Sequence, residues 1–339
     1  MIARGEEVLG EGWHAELGGL HAERAALADC RARGTDPAGA TMFATLEPCA
    51  HHGRQPPCTE AILEAEIARV VIGADDPSEK ATGRGPGILR DGGVEVEFAA
   101  GEEAAAARLL NQPFRKHART GRPLVVLKMA VSLDGRAATG GGDSRWISGE
   151  QSRELVHRWR AEADAVAVGI GTALDDDPLL TARTEGARRQ PARVVFDSGA
   201  RLPLDSQLVR TSDQSPLLAV VAPRADRDRL AALERAGVEV VVASGSSAAE
   251  RFRAALDDLG RRPFTSLLLE GGPTLAGAVV DAGEVDEIRL FLAPLLLGGG
   301  RPALEGEGPR RIADAARALA VDAERVGEDV LVRARMREW

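Results

Sequence analysis

Cysteine is scarce in this sequence: three in 339 residues, too few for the disulfide framework of a small secreted domain. Lysine is rarer than its charge class suggests, found only at Lys80, Lys116 and Lys128, so the cationic side chains are nearly all arginine. No apolar run approaches the ~20 residues of a membrane span, and Met1 to Gly10 lacks a signal-peptide core. Aromatic residues make up 3% and the net charge is −9. A nucleic-acid groove needs a dense basic run beside aromatics, and there is none. What remains is a cytoplasmic globular chain, 44% hydrophobic and 28% charged, expected to have no membrane or nucleic-acid partner. It is long enough for two cores.

The chemistry is anchored in Glu47 to Cys58, E-P-C-A-H-H-G-R-Q-P-P-C, where two cysteines bracket a loop rich in His, Gly, Pro and Arg. Upstream stands His21-Ala22-Glu23, the H-x-E half of a zinc-deaminase signature. In that signature the histidine ligates Zn²⁺ and the glutamate moves protons without ligating. His21, Cys49 and Cys58 are therefore expected to hold one zinc, with the fourth position left open as in catalytic sites. Cys58 opens a helical pattern through Ala61, Ile62 and Ala65, and His21 opens another running to Gly34. Free amides and the dipole at a helix N-terminus stabilise a thiolate there. Cys30 is left over and reads as a buried helix residue. The general signature has two residues between its cysteines and this chain has eight, which sets it apart from ordinary nucleic-acid or cytidine deaminases.

Strands are expected over 7–13, 40–47, 69–74 and 94–99, with helices over 21–33, 58–66, 84–91 and 102–111. Arg115 to Pro123 is polar, with Thr120-Gly121-Arg122-Pro123 as a break, and the boundary is placed there, giving domains 1–118 and 119–339. Beyond it, Leu124 to Val131 is an apolar strand carrying Lys128, suited to a central parallel position. Ser148, with Gln151, reads as a capping box for a helix to about Ala161. Strands near 164–169, 193–197, 217–222, 238–243, 266–270, 287–293 and 330–336 alternate with helices near 226–236, 248–259 and 274–282. Both halves are thus α/β.

Two glycine turns follow strands in the second half. One is Gly169-Ile170-Gly171-Thr172, whose loop ends in Asp175-Asp176-Asp177-Pro178; the other is Glu270-Gly271-Gly272-Pro273-Thr274-Leu275-Ala276-Gly277. Glycine lets backbone approach a phosphate, and a helix N-terminus supplies unpaired N–H groups. Either turn alone reads equally well as a plain tight turn, and the acidic run as a solvated loop. Together they point to a phosphate-bearing cofactor at the strand C-termini, although no G-x-G-x-x-G follows a strand.

H-A-E followed by T-L-E-P-C-A-H-H-G-R-Q-P-P-C resembles the deaminase half of the bifunctional riboflavin-biosynthesis deaminase–reductases. S-L-D-G-R at Ser132–Arg136, G-D-S-R-W-I-S at Gly142–Ser148, D-D-D-P and E-G-G-P-T-L-A-G resemble its reductase half. The resemblance implies a cytidine-deaminase-like zinc domain followed by a dihydrofolate-reductase-like α/β domain, with Zn²⁺ and NADPH as cofactors. It implies hydrolysis of the 2-amino group of a diaminopyrimidine ribotide, then reduction of its ribose to ribitol, by a homo-oligomeric enzyme. Glu23 would shuttle the proton, and His51 and Arg54 would orient the pyrimidine and its phosphate. Family members commonly show Lys-Thr where this chain has Arg54-Gln55. NADPH would be contacted at Ala130, Trp146, Thr172, Asp176 and Ser198, and along Gly272, Pro273, Thr274, Leu275, Ala276, Gly277 and Ala278. Substrate would lie near Ser144, Arg160, Leu180, Arg183 and Glu270, with Arg160 and Arg183 clamping its phosphate. Lys128, Asp176 and Glu270 are expected around the reacting sugar carbon. A lysine can exchange a proton at neutral pH and a guanidinium cannot. A nucleic-acid deaminase, and a reductase carrying an inactive zinc scaffold, are the competing readings.

The start of the chain departs most from the family pattern. Members begin with a helix and a Pro-Asn-Pro loop, whereas Met1 to Gly10 enters at the hairpin leading to Glu11-Gly12-Trp13-His14. The expectation is a native start upstream of Met1, and a 339-residue form that binds zinc but deaminates poorly.

Overall fold

The computed structural model describes residues 1–339 apart from Leu17, Thr82 and Arg188. Two units divide the chain, Met1–Thr120 together with Trp339, and Gly121–Glu338.

The first unit runs β1 (Ile2–Arg4), β2 (Glu7–Gly10), α1 (Ala22–Arg33), β3 (Thr41–Ala44), α2 (Cys58–Glu64), β4 (Arg69–Ile72), α3 (Arg84–Asp91), β5 (Glu95–Phe98), α4 (Gly101–Leu110) and α5 (Gln112–Thr120). Its sheet has the order β2-β1-β3-β4-β5, with β3, β4 and β5 parallel and β1 antiparallel to both neighbours. Ile2, Met42, Val70 and Ile72 from the strands meet Leu27, Ile62 and Leu89 from the helices in one core. Burying each such side chain contributes about 1.5–3 kcal/mol. Cys30 lies in this core, as the sequence suggests.

The strand expected over 7–13 stops at Gly10, because the Glu11 amide donates to Asp29 Oδ2 at 2.8 Å rather than to a neighbouring strand. β1 before it was not foreseen. The polar stretch from Arg115 to Thr120 belongs to α5, and Arg115 and Lys116 are both buried. Arg115 Nε donates to the Trp339 carbonyl at 2.5 Å and Nη2 to Asp75 Oδ1 at 2.9 Å, while Lys116 Nζ lies 5.5 Å from the centre of a Trp339 ring. Charged groups tolerate burial when paired in this way. α5 ends at Thr120, where Gly121 follows with a φ of +69°.

The second unit runs β6 (Leu124–Ser132), β7 (Arg136–Ala138), α6 (Glu150–Glu162), β8 (Ala165–Gly169), α7 (Ile170–Asp176), β9 (Ala192–Phe196), α8 (Gln207–Arg210), β10 (Leu217–Val221), α9 (Arg227–Arg235), β11 (Glu239–Val242), α10 (Ala248–Arg261), β12 (Ser266–Leu269), α11 (Pro273–Asp281), β13 (Glu287–Ala293), β14 (Arg301–Pro302), β15 (Ala320–Val326) and β16 (Asp329–Arg335). The large sheet has the order β11-β10-β9-β8-β12-β6-β13-β16-β15. It is parallel from β11 to β13, and β16 and β15 close it antiparallel. β6 lies inside the sheet between β12 and β13, which explains its unbroken apolar run.

Here too the structure amends the reading. Residues 170–176, expected as loop, form α7, and β15 pairs β16 where no strand was expected. Ser148 does not cap α6: Gly149 is the N-cap, with no side-chain cap of its own. Instead Asp329, buried at the start of β16, accepts from Gly149 N at 2.8 Å and Ser152 Oγ at 2.5 Å. A carboxylate from a distant strand meets the helix dipole better than the local hydroxyl.

Candidate active sites

His21 is the N-cap of α1, with φ −65° and ψ 157°, so its extended backbone turns the imidazole off the helix end. α2 starts at Cys58 itself, after Pro57. The Cys58 amide donates to Cys49 Sγ at 3.3 Å and Thr59 N to Cys49 O at 3.2 Å, folding the loop back onto the helix it precedes. Arg24 in the first turn of α1 pins that fold, with Nη2 2.8 Å from Pro57 O. A Cβ on Gly85 would stand 2.2 Å from Pro48 O, so only glycine lets α3 press on the segment carrying Cys49.

These contacts bring His21 Nδ1 to 3.4 Å from the sulfur of each cysteine, and all three ligand atoms lie within 4.8 Å of one another. Zn–S and Zn–N bonds around a tetrahedral ion give S···N edges of about 3.6 Å, so the triangle fits zinc as it stands. The Cys49 thiol is lowered to about 5, first by a hydrogen bond with the Cys58 side chain, which outweighs burial. The same bond, then burial and Glu23, push Cys58 up. Glu23 Oε2 lies 3.4 Å from Cys58 Sγ, and burial raises the Glu23 pKa.

His51 is half-buried with Nδ1 unpartnered among the described residues, and Arg54 is exposed beside Gly18. Gln55 ties its loop down, its Nε2 donating to Gly18 O at 3.0 Å. One neighbour escaped the sequence reading. Exposed His14 sits edge-on to His21 with ring centroids 5.4 Å apart. A histidine seven residues before the H-x-E was the available signal.

The second site lies at the C-terminal ends of the parallel strands, in a cavity of about 960 Å³. Lys128 on β6 and Glu270, just beyond β12, both face it. Arg160 from α6 grips Glu270 with two bonds, Nε to Oε1 at 2.6 Å and Nη2 to Oε2 at 2.9 Å. Burial alone would raise the Glu270 pKa, but Arg160 and then Lys128 bring it below the ordinary carboxylate value. Burial lowers Lys128, with Glu270 opposing and Arg160 assisting. The two glycine turns meet, since a Cβ on Gly272 would lie 3.3 Å from Thr172 Oγ1.

Sequence comparison and structure comparison agree. Residues 1–74 match the cytidine and deoxycytidylate deaminase zinc-binding region, and 123–332 match the RibD C-terminal domain. The riboflavin biosynthesis protein RibD of Actinobacillus pleuropneumoniae is 38% identical over 335 residues, covering 98% of this chain and 87% of that protein. The RibD of Mycobacterium tuberculosis is 39% identical over 329 residues, covering 96% and 86%. This chain belongs to the RibD family. The crystal structure of a diaminohydroxyphosphoribosylaminopyrimidine deaminase/5-amino-6-(5-phosphoribosylamino)uracil reductase from Thermotoga maritima superposes with a TM-score of 0.84 at 31% identity, covering 99% of this chain and 90% of that one. As a RibD protein the chain is a bifunctional enzyme of riboflavin biosynthesis, a zinc-dependent deaminase joined to an NADPH-dependent reductase.

In the RibD reductase half, Ala130, Trp146, Thr172, Asp176, Ser198, Gly272, Pro273, Thr274, Leu275 and Ala278 all line the cavity, as do Ser144, Arg160, Leu180 and Arg183. Ala276 and Gly277 do not. Ala276 packs in the core, and a Cβ on Gly277 would stand 2.4 Å from the Glu305 backbone. Asp176 lines the cavity with a partner of its own. Its carboxylate is held by Arg145 Nε at 2.8 Å, and the charges acting on Lys128 are Glu270 and Arg160. Arg160 is paired with Glu270, and Arg183 Nη1 donates to Thr181 Oγ1 at 3.1 Å. His157, on the cavity wall beside Arg160, was not singled out, though its i, i+3 spacing from Arg160 puts both on one helix face.

Proposed function

We propose that the first domain, residues 1–118, hydrolyses the 2-amino group of 2,5-diamino-6-ribosylamino-4(3H)-pyrimidinone 5′-phosphate. The second, residues 119–339, then reduces the ribosyl group of 5-amino-6-(5-phosphoribosylamino)uracil to ribityl. The observation that carries this reading is a zinc-fitting triangle with Glu23 beside it, in the same chain as a cavity faced by Lys128 and Glu270.

Zinc held by His21, Cys49 and Cys58 supplies the polarisation that lets water ionise near neutral pH. Glu23 takes the proton that the water gives up, holds it because burial favours the neutral acid, and hands it to the amino group. The C–N bond breaks, ammonia leaves, and the water oxygen stays on the ring carbon. His51 and His14 orient the pyrimidine, and Arg54 pairs with its phosphate.

NADPH supplies the hydride for the second step. Lys128 gives the balancing proton to the ribose oxygen set free as the ring opens and its carbon accepts the hydride. Glu270, fixed by Arg160, opposes the lowering of the Lys128 pKa by burial. Arg183 takes the phosphate and Asp176 the cofactor side of the cavity.

Three free cysteines support a cytoplasmic setting, and among the described residues no helix is long and apolar enough to cross a membrane. Exposed Ile312, Leu319 and Val321 near edge strand β15 support a homo-oligomer. Incubation with the diaminopyrimidine ribotide, with and without NADPH, tests the function by mass analysis and ammonia assay. Ammonia release without NADPH, followed by a further gain of hydrogen with it, is expected. Zinc without ammonia leaves a reductase with a scaffold.

A further inference from the structure

NADPH differs from NADH by a phosphate on the 2′ oxygen of its adenosine ribose, and a site that prefers NADPH supplies a cation there instead of a carboxylate. The reacting end of the cavity is fixed by Lys128 and Glu270, and the two glycine turns lie beside it. Away from them the cavity continues past the ends of β9, β10 and β11, where Ser198, Arg201, Val221, Ala243, Ala248 and Arg251 form its wall. At about 4.8 Å per strand, β10 and β11 lie roughly 14–19 Å across the sheet from β12. That is the reach of a dinucleotide from its reacting ring to its adenosine.

The charges in this arm are one-sided. Asp197 is fully buried and turned inward, its Oδ2 accepting from Leu202 N at 2.8 Å while Oδ1 is 3.8 Å from Arg201 Nε. Glu250 Oε2 is spent on Ser246, accepting from its amide and hydroxyl, both at 2.7 Å. The acidic cavity residues Asp175, Asp176, Asp177 and Glu270 follow β8 and β12, not these strands. Among the described residues, the Arg251 guanidinium, in the first turns of α10, donates only to the Gly245 and Ser246 carbonyls, at 3.3 and 3.4 Å through Nη1. Carbonyls accept hydrogen bonds but do not neutralise a guanidinium, so its charge and remaining donors face the cavity without an acid. Arg201 is more than half exposed, with only the long contact to Asp197.

We propose that Arg251 and Arg201 bind the 2′-phosphate of the cofactor and set the preference for NADPH over NADH. The assignment rests on the reductase reading above. Guanidinium forks match phosphate oxygens in pairs, and no carboxylate stands ready to accept a bare 2′-hydroxyl.

Calorimetry on the full chain, with NADPH, NADH, 2′,5′-ADP and 5′-AMP as probes, tests it by affinity alone. Arg251→Gln should weaken NADPH and 2′,5′-ADP by about 10- to 100-fold, the loss expected of a charge-assisted hydrogen bond. NADH and 5′-AMP should change by less than roughly threefold, because they carry no group there. Arg251→Lys should recover part of the loss, and Arg201→Gln, at an exposed position that leaves folding intact, should show the same selectivity with a smaller drop. Equal weakening of NADPH and NADH, or 2′,5′-ADP binding no tighter than 5′-AMP to the unaltered chain, overturns the assignment. Failure of the unaltered chain to bind either dinucleotide overturns the reductase reading beneath it.

Discussion

The zinc triangle and the reductase cavity are built in opposite ways. The first comes from two short stretches, His21–Glu23 and Glu47–Cys58, each at a helix start, and its geometry is three atoms within 4.8 Å. The second gathers residues from the ends of six parallel strands, spread from Lys128 to Ala278. Metal coordination compresses function into a motif. A dinucleotide and a sugar phosphate need a surface, and a surface needs a whole sheet.

The contrast predicts that damage to the first site is local and all-or-none. Cys58→Ser should cost on the order of 100-fold or more in zinc affinity, since loss of a supporting partner alone costs 10–100-fold. Metal content after dialysis measures it, and NADPH binding should be unchanged. A parallel loss of NADPH binding would break the separation of the two sites.

Glu23→Gln sharpens the comparison within the first site. Deamination should fall by roughly 10²–10⁴, the usual worth of a positioned acid–base group, with zinc retained. If ammonia release persists, the proton moves by another route.

In the cavity, Lys128→Met should lower reduction by roughly 10²-fold while changing NADPH affinity only a few-fold. The pH profile carries a sign. The Lys128 pKa is lowered, so its proton is lost at lower pH than from an exposed lysine, and reduction should fall as pH rises through that value. Glu270 raises that pKa, so Glu270→Gln should move the falling limb to lower pH. A limb that stays put would take Lys128 out of the proton transfer.

The smallest effect tests long-range support. Asp329→Asn weakens the cap on α6, the helix that carries His157 and Arg160, and should cost about 1–2 kcal/mol of stability. A lower thermal midpoint with unchanged zinc content is the expected result.

Much of this was legible in the chain. The helix starts at His21 and Cys58, the burial of Cys30 and the central place of β6 follow from spacing and apolar runs, which are local properties. The ligand set followed from chemistry, because few residue types bind zinc and the chain holds few cysteines. Other features were out of reach. Asp329 replaces Ser148 as the cap from nearly the far end of the sequence, and the pairing of Arg160 with Glu270 joins residues 110 apart. Arg115 and Lys116 read as surface charge until Asp75 and Trp339 are brought against them. The sequence by itself determined which groups can ligate, titrate or pair, since that is fixed by side-chain chemistry and near neighbours. Only the tertiary structure decided which partner each charged group takes, because a carboxylate far along the chain competes on equal terms with a near one once folding sets the distance.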